Sequence, residues 1–219
     1  MFDEVAPRYD LVNAVMTFGL DRVWRRRARQ ALGLPVPSRV LDLACGTADF
    51  ARELAAQGHR ALGLDVSPGM LAAARPGRAP LVLGDGAALP VASASLDGIV
   101  SGFALRNFAD LPRALTECAR VLRPLGRLAI LEVDRPTSPL LRAGHALWFG
   151  RAIPRIGGLL SSGEAYRYLV RSLAYLPAPA ELQALLERSG FSDVRRRPLL
   201  GASAQLVTAT RCGGGGVGL

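Results

Sequence analysis

Residues 40–49 read VLDLACGTAD, which is four residues of a buried strand, a turn of small residues and the start of a helix. Small residues in such a turn let backbone amides come close to a bound ligand. A dinucleotide-binding fold would place G-x-G-x-x-G here, yet only Gly46 is present, followed by Ala48 and Phe50. The turn therefore predicts a ligand site and counts against NAD as the ligand.

From residue 39 onward, short apolar runs alternate with helical stretches. The runs predict strands at 40–43, 61–64, 81–83, 99–101 and 128–133. Ser67 and Pro68 mark the start of the helix after the second strand. A further helix is predicted over 111–122, ending before Pro124 and Gly126.

Two further strand-like segments follow late in the chain, around Val194 and at 204–210, with no helix between them. They predict a terminal hairpin in which one strand runs antiparallel. Strands that alternate with helices form parallel sheets with helices on both faces. The predicted fold class is therefore α/β: a Rossmann-like, doubly wound, mostly parallel sheet of seven strands with a terminal antiparallel hairpin.

A chain of 219 residues suits one domain with one core, and we predict a single domain over 1–211. Two stretches do not fit the alternation of strands and helices. Residues 1–35 are predicted to form an N-terminal helical cover, and residues 136–179 a cap over the substrate. Residues 212–219 are rich in glycine and predict a flexible tail.

The formal net charge of +9 comes from arginine alone, since the chain has no lysine. This surplus favours an anionic partner, and nucleic acid, anionic lipid and acidic small molecules all qualify. Three distant cysteines give neither a disulfide framework nor metal-ligand spacing. No apolar run reaches the length of a membrane span, and the N-terminus lacks the pattern of a signal peptide. We expect a cytoplasmic protein without a metal.

Acidic residues stand at the ends of the first three predicted strands, as Asp42, Asp65 and Asp85. A single Asp in such a place is more often a helix cap or a turn residue. Three of them at successive strand ends favour a ligand site. Asp65 can accept hydrogen bonds from two ribose hydroxyls, and Asp85 can accept one from the exocyclic amine of adenine.

These acidic positions, the Gly46 turn and the final hairpin together resemble the class I methyltransferases that depend on S-adenosylmethionine. A narrower resemblance, over about residues 1–210, is to the demethylmenaquinone and ubiquinone C-methyltransferase family. The segments that carry it include Met1-Phe2-Asp3, Tyr9-Asp10, Trp24-Arg25-Arg26, Asp42-Leu43-Ala44-Cys45-Gly46-Thr47, Leu105-Arg106-Asn107, Arg120-Val121-Leu122 and Tyr166-Arg167-Tyr168-Leu169.

The resemblance implies S-adenosylmethionine as the cofactor. The residues expected to hold it are Asp42, Gly46, Thr47, Asp65, Asp85, Gly86 and Ser101. The chain departs from the family pattern at Ala48, Ala104 and Leu125, where glycine is usual, and at Gly86, where alanine is usual. These departures leave the cofactor in place and bear on the identity of the substrate.

The resemblance also implies methyl transfer to a ring carbon of a prenylated quinol, with demethylmenaquinol as the favoured substrate. Such a carbon becomes nucleophilic when the neighbouring hydroxyl ionises, and Arg106 is suited to stabilise the phenolate. Asn107 would orient the same oxygen. The proton would leave through water, with Tyr9, Asp10 and Glu132 as candidate acceptors.

Two other interpretations stay open. Arg106-Asn107 also fits a surface turn before the predicted helix, capped by Asn107 or Asp110. The same fold would also suit methylation of another small molecule of secondary metabolism. Nucleic acid is disfavoured, because Phe103-Ala104-Leu105-Arg106 has neither the Pro-Pro-aromatic turn of amino-group methyltransferases nor the nucleophilic cysteine of cytosine enzymes.

The segment 136–179 carries apolar residues at roughly helical spacing among arginines. An apolar face with basic flanks suits a cap that receives a prenyl chain from an anionic membrane surface. The arginines expected to add positive charge there are Arg22, Arg25, Arg26, Arg27 and Arg29. The alternative is that this face packs on the sheet. The sequence leaves open whether the chain forms a homodimer.

Overall fold

The computed structural model describes Thr17 and residues 19–134, Ser172, 175–199 and 204–213. The predicted catalytic residue Tyr9, nearly all of the predicted cap and most of the predicted tail lie outside the described residues. The division into cover, domain, cap and tail therefore stays a prediction. Within the described part of the chain, no helix is long and apolar enough to cross a membrane.

The described residues form one sheet of seven strands: β1 Arg39–Leu43, β2 Arg60–Asp65, β3 Leu81–Leu83, β4 Leu96–Gly102, β5 Leu122–Val133, β6 Phe191–Leu199 and β7 Ala204–Arg211. Their order in the sheet is β3-β2-β1-β4-β5-β7-β6. The first five strands run parallel to one another, and β7 runs antiparallel to both of its neighbours. The predicted fold class, including the terminal hairpin, is confirmed.

Five α-helices accompany these strands in the described residues: α1 Asp21–Leu32, α2 Asp49–Ala56, α3 Pro68–Ala72, α4 Leu111–Val121 and α5 Pro179–Arg188. Trp24 of α1 and Phe50 of α2 pack in one buried cluster with alternate residues of the strands. Leu115 of α4 and Leu186 of α5 pack in a second cluster with the intervening strand residues. Because side chains alternate between the faces of a sheet, the two clusters lie on opposite faces.

The predicted helix starts are confirmed. Ser67 Oγ accepts a hydrogen bond from the backbone N–H of Met70 at 3.1 Å, and Pro68 is the first helical residue of α3. Asp110, rather than Asn107, caps α4, because its Oδ1 accepts from a backbone N–H of the first turn at 3.0 Å. Each cap satisfies an amide that has no partner inside the helix.

Strand β5 begins at Leu122, six residues before the predicted strand at 128–133. Its pairing with β4 skips from Leu122 to Arg127, so residues 123–126 bulge out of the ladder. Leu125 in this bulge is largely exposed and has φ of +64°. Bulky side chains rarely adopt this left-handed backbone, whereas glycine adopts it readily.

Leu125→Gly is therefore expected to stabilise the protein. Removing the left-handed penalty gains about 1–2 kcal/mol, and the greater freedom of glycine in the unfolded chain offsets about half of it. The expected net gain of about 1 kcal/mol corresponds to a rise in Tm of about 2–4 °C, measured by circular dichroism. Leu83→Gly is the control, since Leu83 is an exposed leucine in a strand with an ordinary backbone. A Tm that falls equally in both variants would contradict the strain at Leu125.

Candidate active site

The carboxyl ends of β1, β2, β3 and β4 surround one cavity of about 250 Å³. Most of its wall is apolar, with Met70, Phe103 and Phe108 among the lining side chains. Such a cavity with a few placed polar groups is typical of a small-molecule site. Five residues predicted for the site line it: Gly46, Asp65, Asp85, Gly86 and Asn107.

The turn after β1 contributes Ala44 and Gly46 to the lining of this cavity. Ala44, Gly46 and Ala48 have φ of +54°, +53° and +63°. Strained backbone of this kind is concentrated at ligand sites, where the surrounding structure holds it in place. Ala48, where the resembled family has glycine, keeps a conformation that glycine adopts more easily.

Asp65 connects the first two strand ends. One carboxylate oxygen accepts a hydrogen bond from Gly46 N–H at 2.7 Å, and the other accepts from Ser67 N–H at 2.9 Å. The residue is buried but lines the cavity. Because each carboxylate oxygen can accept a second hydrogen bond, Asp65 can hold the turn and a ligand hydroxyl together.

Asp85 and Gly86 follow β3 and form the opposite wall. Asp85 Oδ1 accepts from Ala87 N–H at 2.8 Å, which fixes the side chain at the start of its loop. The residue is exposed at the cavity, whereas Gly86 is buried against the ring of Phe108. The arrangement presents a carboxylate and a backbone amide side by side.

Asp42 lies deeper, beside a second cavity of about 50 Å³ that shares Gly46 and Phe103 with the first. Its Oδ2 accepts from Ala51 N–H at 2.9 Å. Among the described residues, its buried Oδ1 has no hydrogen-bond partner. Burial raises the pKa of Asp42 to about 7, with Asp65 and other carboxylates nearby adding to the rise. An unpartnered buried oxygen is costly and marks a position where a donor would be favoured.

Arg25 also lines the smaller cavity, whereas the sequence predicts its placement among membrane-facing arginines. That placement is wrong, because Arg25 is buried and pairs with Asp21 at 2.7 Å, Asp49 at 3.1 Å and Glu53 at 3.2 Å. Arg29 pairs with Glu53 as well. The four-residue spacing of Asp21 and Arg25 on one helix could have indicated their ion pair. The pairing of Arg25 with Asp49 and Glu53 of α2 could not be predicted from sequence.

Arg106 is buried, so the alternative of a surface turn is wrong for this residue, whereas the helix cap at Asp110 in the same alternative is confirmed. It lies in a 3-10 turn over Leu105–Asn107, and its guanidinium is buried. Its Nη1 donates to Glu132 Oε1 at 2.5 Å, and its Nε donates to Ser172 Oγ at 3.0 Å. Neither Arg106 nor Glu132 lines the large cavity, whereas Asn107 does.

Glu132 is the acidic partner of Arg106. From sequence it is predicted only as a candidate proton acceptor, and the ion pair is not predicted. It is fully buried at the end of β5, and its carboxylate also accepts from Leu105 N–H at 2.9 Å and Val133 N–H at 2.8 Å. Burial raises the pKa of Glu132, while the charge of Arg106 opposes the rise. The pair fixes the turn that carries Asn107.

The two other residues predicted to hold the cofactor lie around these cavities in different ways. Thr47 is buried and lines the smaller cavity. Ser101 lines neither of the two, and its hydroxyl donates to Leu43 O at 2.9 Å, which ties β4 to β1. Among the described residues, no cluster of His, Cys, Asp and Glu could hold a metal ion.

Comparison with known proteins agrees with this geometry. The chain matches the ubiE/COQ5 methyltransferase family over residues 1–210. It is 44% identical to the demethylmenaquinone methyltransferase of Mycolicibacterium vanbaalenii, over 96% of this chain and 93% of that protein. It is 42% identical to the ubiquinone/menaquinone biosynthesis C-methyltransferase UbiE of Syntrophotalea carbinolica, over 96% of this chain and 92% of that protein.

A solved structure with the same fold is phosphoethanolamine N-methyltransferase 2 of Haemonchus contortus in complex with S-adenosyl-L-methionine. Its TM-score is 0.64 at 15% identity, and the match covers 86% of this chain and 52% of that one. This likeness concerns the fold alone, whereas the matches in sequence extend over nearly the whole chain. On that evidence the chain belongs to the ubiE/COQ5 methyltransferase family.

Proposed function

We propose that this methyltransferase moves a methyl group from S-adenosylmethionine to a ring carbon of a prenylated quinol, with demethylmenaquinol as the substrate and menaquinol as the product. The observation that carries the proposal is the convergence of Gly46, Asp65 and Asp85 on one cavity. The names of the relatives, which refer to methylation in menaquinone and ubiquinone synthesis, support the choice of substrate.

The nucleoside part of the cofactor fits the larger cavity. Asp65 has one further lone pair on each oxygen for the two ribose hydroxyls, while its bonds to Gly46 and Ser67 hold it in place. Asp85 and the Gly86 amide suit the exocyclic amine and ring nitrogen of adenine. When bound, the cofactor supplies an electrophilic methyl group on its sulfonium sulfur.

The amino-acid part of the cofactor fits the smaller cavity, next to Asp42 and Thr47. The buried Oδ1 of Asp42, unpartnered among the described residues, would accept from the α-ammonium group. This pairing would offset the cost of a buried carboxylate. Arg25 is already surrounded by three acids and would support the wall rather than bind the ligand.

Cofactor affinity is therefore expected to fall as the pH is lowered through about 7, the raised pKa of Asp42. Below this pH Asp42 is neutral in the free protein, so ammonium binding must first displace a proton. We expect affinity for S-adenosylhomocysteine to drop about 25-fold between pH 7.5 and pH 5.5, measured by calorimetry. Asp42→Asn should bind more weakly at pH 7.5 and show a flat profile. An equally steep profile in Asp42→Asn would assign the titration to another group.

On the substrate side, Asn107 is the predicted catalytic residue that lines the cavity. We infer that its side chain contacts the quinol oxygen, while Arg106 acts through Glu132 as a positioning residue. Glu132 holds both the Arg106 guanidinium and the Leu105 backbone amide, so the turn has little freedom. Because Glu132 neutralises the Arg106 guanidinium, the pair acts on the phenolate through the position of Asn107 rather than through a net charge. Tyr9 remains a predicted contributor, and a water chain the predicted route for the proton.

The function is tested by supplying methyl-labelled S-adenosylmethionine with reduced demethylmenaquinone and following the label into the ring by mass spectrometry. Turnover is expected with the quinol and not with the oxidised quinone, because only the quinol can form an electron-rich phenolate. A naphthoquinol without the prenyl chain serves as the second substrate. Faster methylation of unrelated small phenols than of any quinol would favour the secondary-metabolism alternative.

We also propose that the protein collects this substrate at the cytoplasmic face of an anionic membrane through residues 136–179. Arg22, Arg26 and Arg27 are exposed on α1 and can add charge, unlike Arg25 and Arg29, which are paired. Each arginine near anionic lipid contributes about 1 kcal/mol, and salt screens this attraction.

The expected result is co-sedimentation with phosphatidylglycerol-containing vesicles at low salt and release by salt at about 1 M. Replacing Trp148 and Phe149 by serine should abolish the binding, because the apolar anchor is lost. Reversing the charge of Arg26 should weaken it, whereas Arg195→Glu, at an exposed position on the edge strand β6, is the matched control. Equal binding to neutral vesicles would contradict the contribution of charge.

A further inference from the structure

The Phe108 ring packs directly against Gly86. A Cβ atom built on Gly86 would lie 2.5 Å from Phe108 Cε1, 3.3 Å from Phe108 Cζ and 3.2 Å from Leu43 Cδ1. Carbon atoms in van der Waals contact stand about 3.5–4.0 Å apart. The ring therefore fills the volume that any side chain at position 86 would need.

Both residues form the wall of the larger cavity. Behind the ring, Leu43, Leu105 and Leu111 line a void of only about 10 Å³. A void of this size holds about one water molecule and cannot take an aromatic ring. A ring that is pushed by a side chain at position 86 therefore cannot retreat into this void, and the larger cavity is the open space that it already lines.

We propose that Gly86 and Phe108 form a coupled pair that sets the width of the cavity at its adenine end, with the Phe108 ring in contact with the purine. The inference rests on the proposed function, because it is the Asp85-Gly86 wall that is assigned to adenine. A flat apolar ring at this position suits a purine, which stacks on aromatic side chains. Phe108 is thus assigned as a residue that determines cofactor affinity.

A double-mutant cycle on the purified full chain tests the coupling, with S-adenosylhomocysteine as the probe in calorimetry. G86A is expected to weaken binding about 10- to 100-fold, because the displaced ring intrudes on the purine space. In the F108L background, where the side chain is smaller and flexible, the same G86A change should cost less than about threefold. The matched control is G84A, whose added Cβ would meet Leu64 Cδ1 at 3.0 Å and not Phe108. Its effect should be the same with and without F108L.

F108A gives a second measurement that needs no added side chain. It should weaken S-adenosylhomocysteine binding about tenfold through loss of the purine contact, and raise KM for the cofactor by a larger factor than it lowers kcat. A merely structural ring would lower Tm without this split between KM and kcat. Equal effects of G86A in both backgrounds, or an unchanged affinity in F108A, would overturn the proposal. Failure of the wild-type protein to bind S-adenosylhomocysteine would instead contradict the proposed function.

Discussion

Asp65→Ala is expected to abolish cofactor binding at attainable concentrations. The change removes both acceptors proposed for the ribose hydroxyls, and a hydrogen bond to a charged group contributes about 1.5–3 kcal/mol. It also releases the Gly46 and Ser67 amides, which the carboxylate holds at 2.7 and 2.9 Å. The expected loss is therefore at least about 100-fold in Kd for S-adenosylhomocysteine, measured by calorimetry at pH 7.5.

The control is Asp97→Ala, because Asp97 also accepts a backbone N–H, from Arg39 at 2.7 Å, and pairs with Arg123, but lies away from the lining of both cavities. Its affinity should match that of the wild type. Asp65→Asn should fall between, since its amide can accept from Ser67 but presents a donor to the Gly46 N–H. Affinity within about threefold of wild type in Asp65→Ala, which is less than 1 kcal/mol, would remove the residue from the ribose site.

Arg106→Leu is expected to destabilise the protein by about 3–5 kcal/mol, because it leaves a fully buried carboxylate without its cation. Glu132 and the Arg106 side chain are only 0% and 7% exposed, so solvent screens the pair little. Arg106→Lys should keep the fold but slow turnover, since lysine cannot contact Glu132 and Ser172 with one planar group. Urea unfolding measures the first effect, and the labelled-methyl assay the second.

The pH dependence of stability distinguishes the loss of this ion pair from a simple loss of packing in Arg106→Leu. Burial raises the pKa of Glu132, so the folded chain binds a proton more readily there than the unfolded chain does. The stability cost of such a group grows as the pH rises above the unfolded pKa of about 4.5. The loss in Arg106→Leu should thus be larger at pH 8 than at pH 5. Arg123→Leu, which removes an arginine side chain that is 52% exposed, should cost less than about 1 kcal/mol at either pH.

The strand ends could be predicted from sequence because they depend on local pattern and parallel topology. Once Asp42, Asp65 and Asp85 are placed at the ends of parallel strands, they must meet at one edge of the sheet. The helix caps at Ser67 and Asp110 are equally local, since each side chain bonds an amide three residues on. These features need no knowledge of distant partners.

The buried charges could not be predicted in the same way. Arg106 and Glu132 are 26 residues apart, and Arg25 and Glu53 are 28 residues apart. Nothing in the local spacing says which arginine of a lysine-free chain meets which acid. From sequence, Arg25 is predicted to face a membrane and Arg106 to stabilise the phenolate, and neither prediction includes the acidic partner. Burial in the folded chain distinguishes Arg25 and Arg106 from the exposed arginines.

The contact from Arg106 Nε to Ser172 Oγ joins residues 66 positions apart in the chain. At the other end of the intervening segment, Asp134 is held by Arg196. The described residues on either side of 135–171 are therefore held by partners outside that segment. For a flexible loop in general, each doubling of its length costs only about 0.6 kcal/mol in chain entropy. A change in the number of residues between Asp134 and Ser172 is therefore expected to leave both of these contacts in place, since neither depends on residues 135–171.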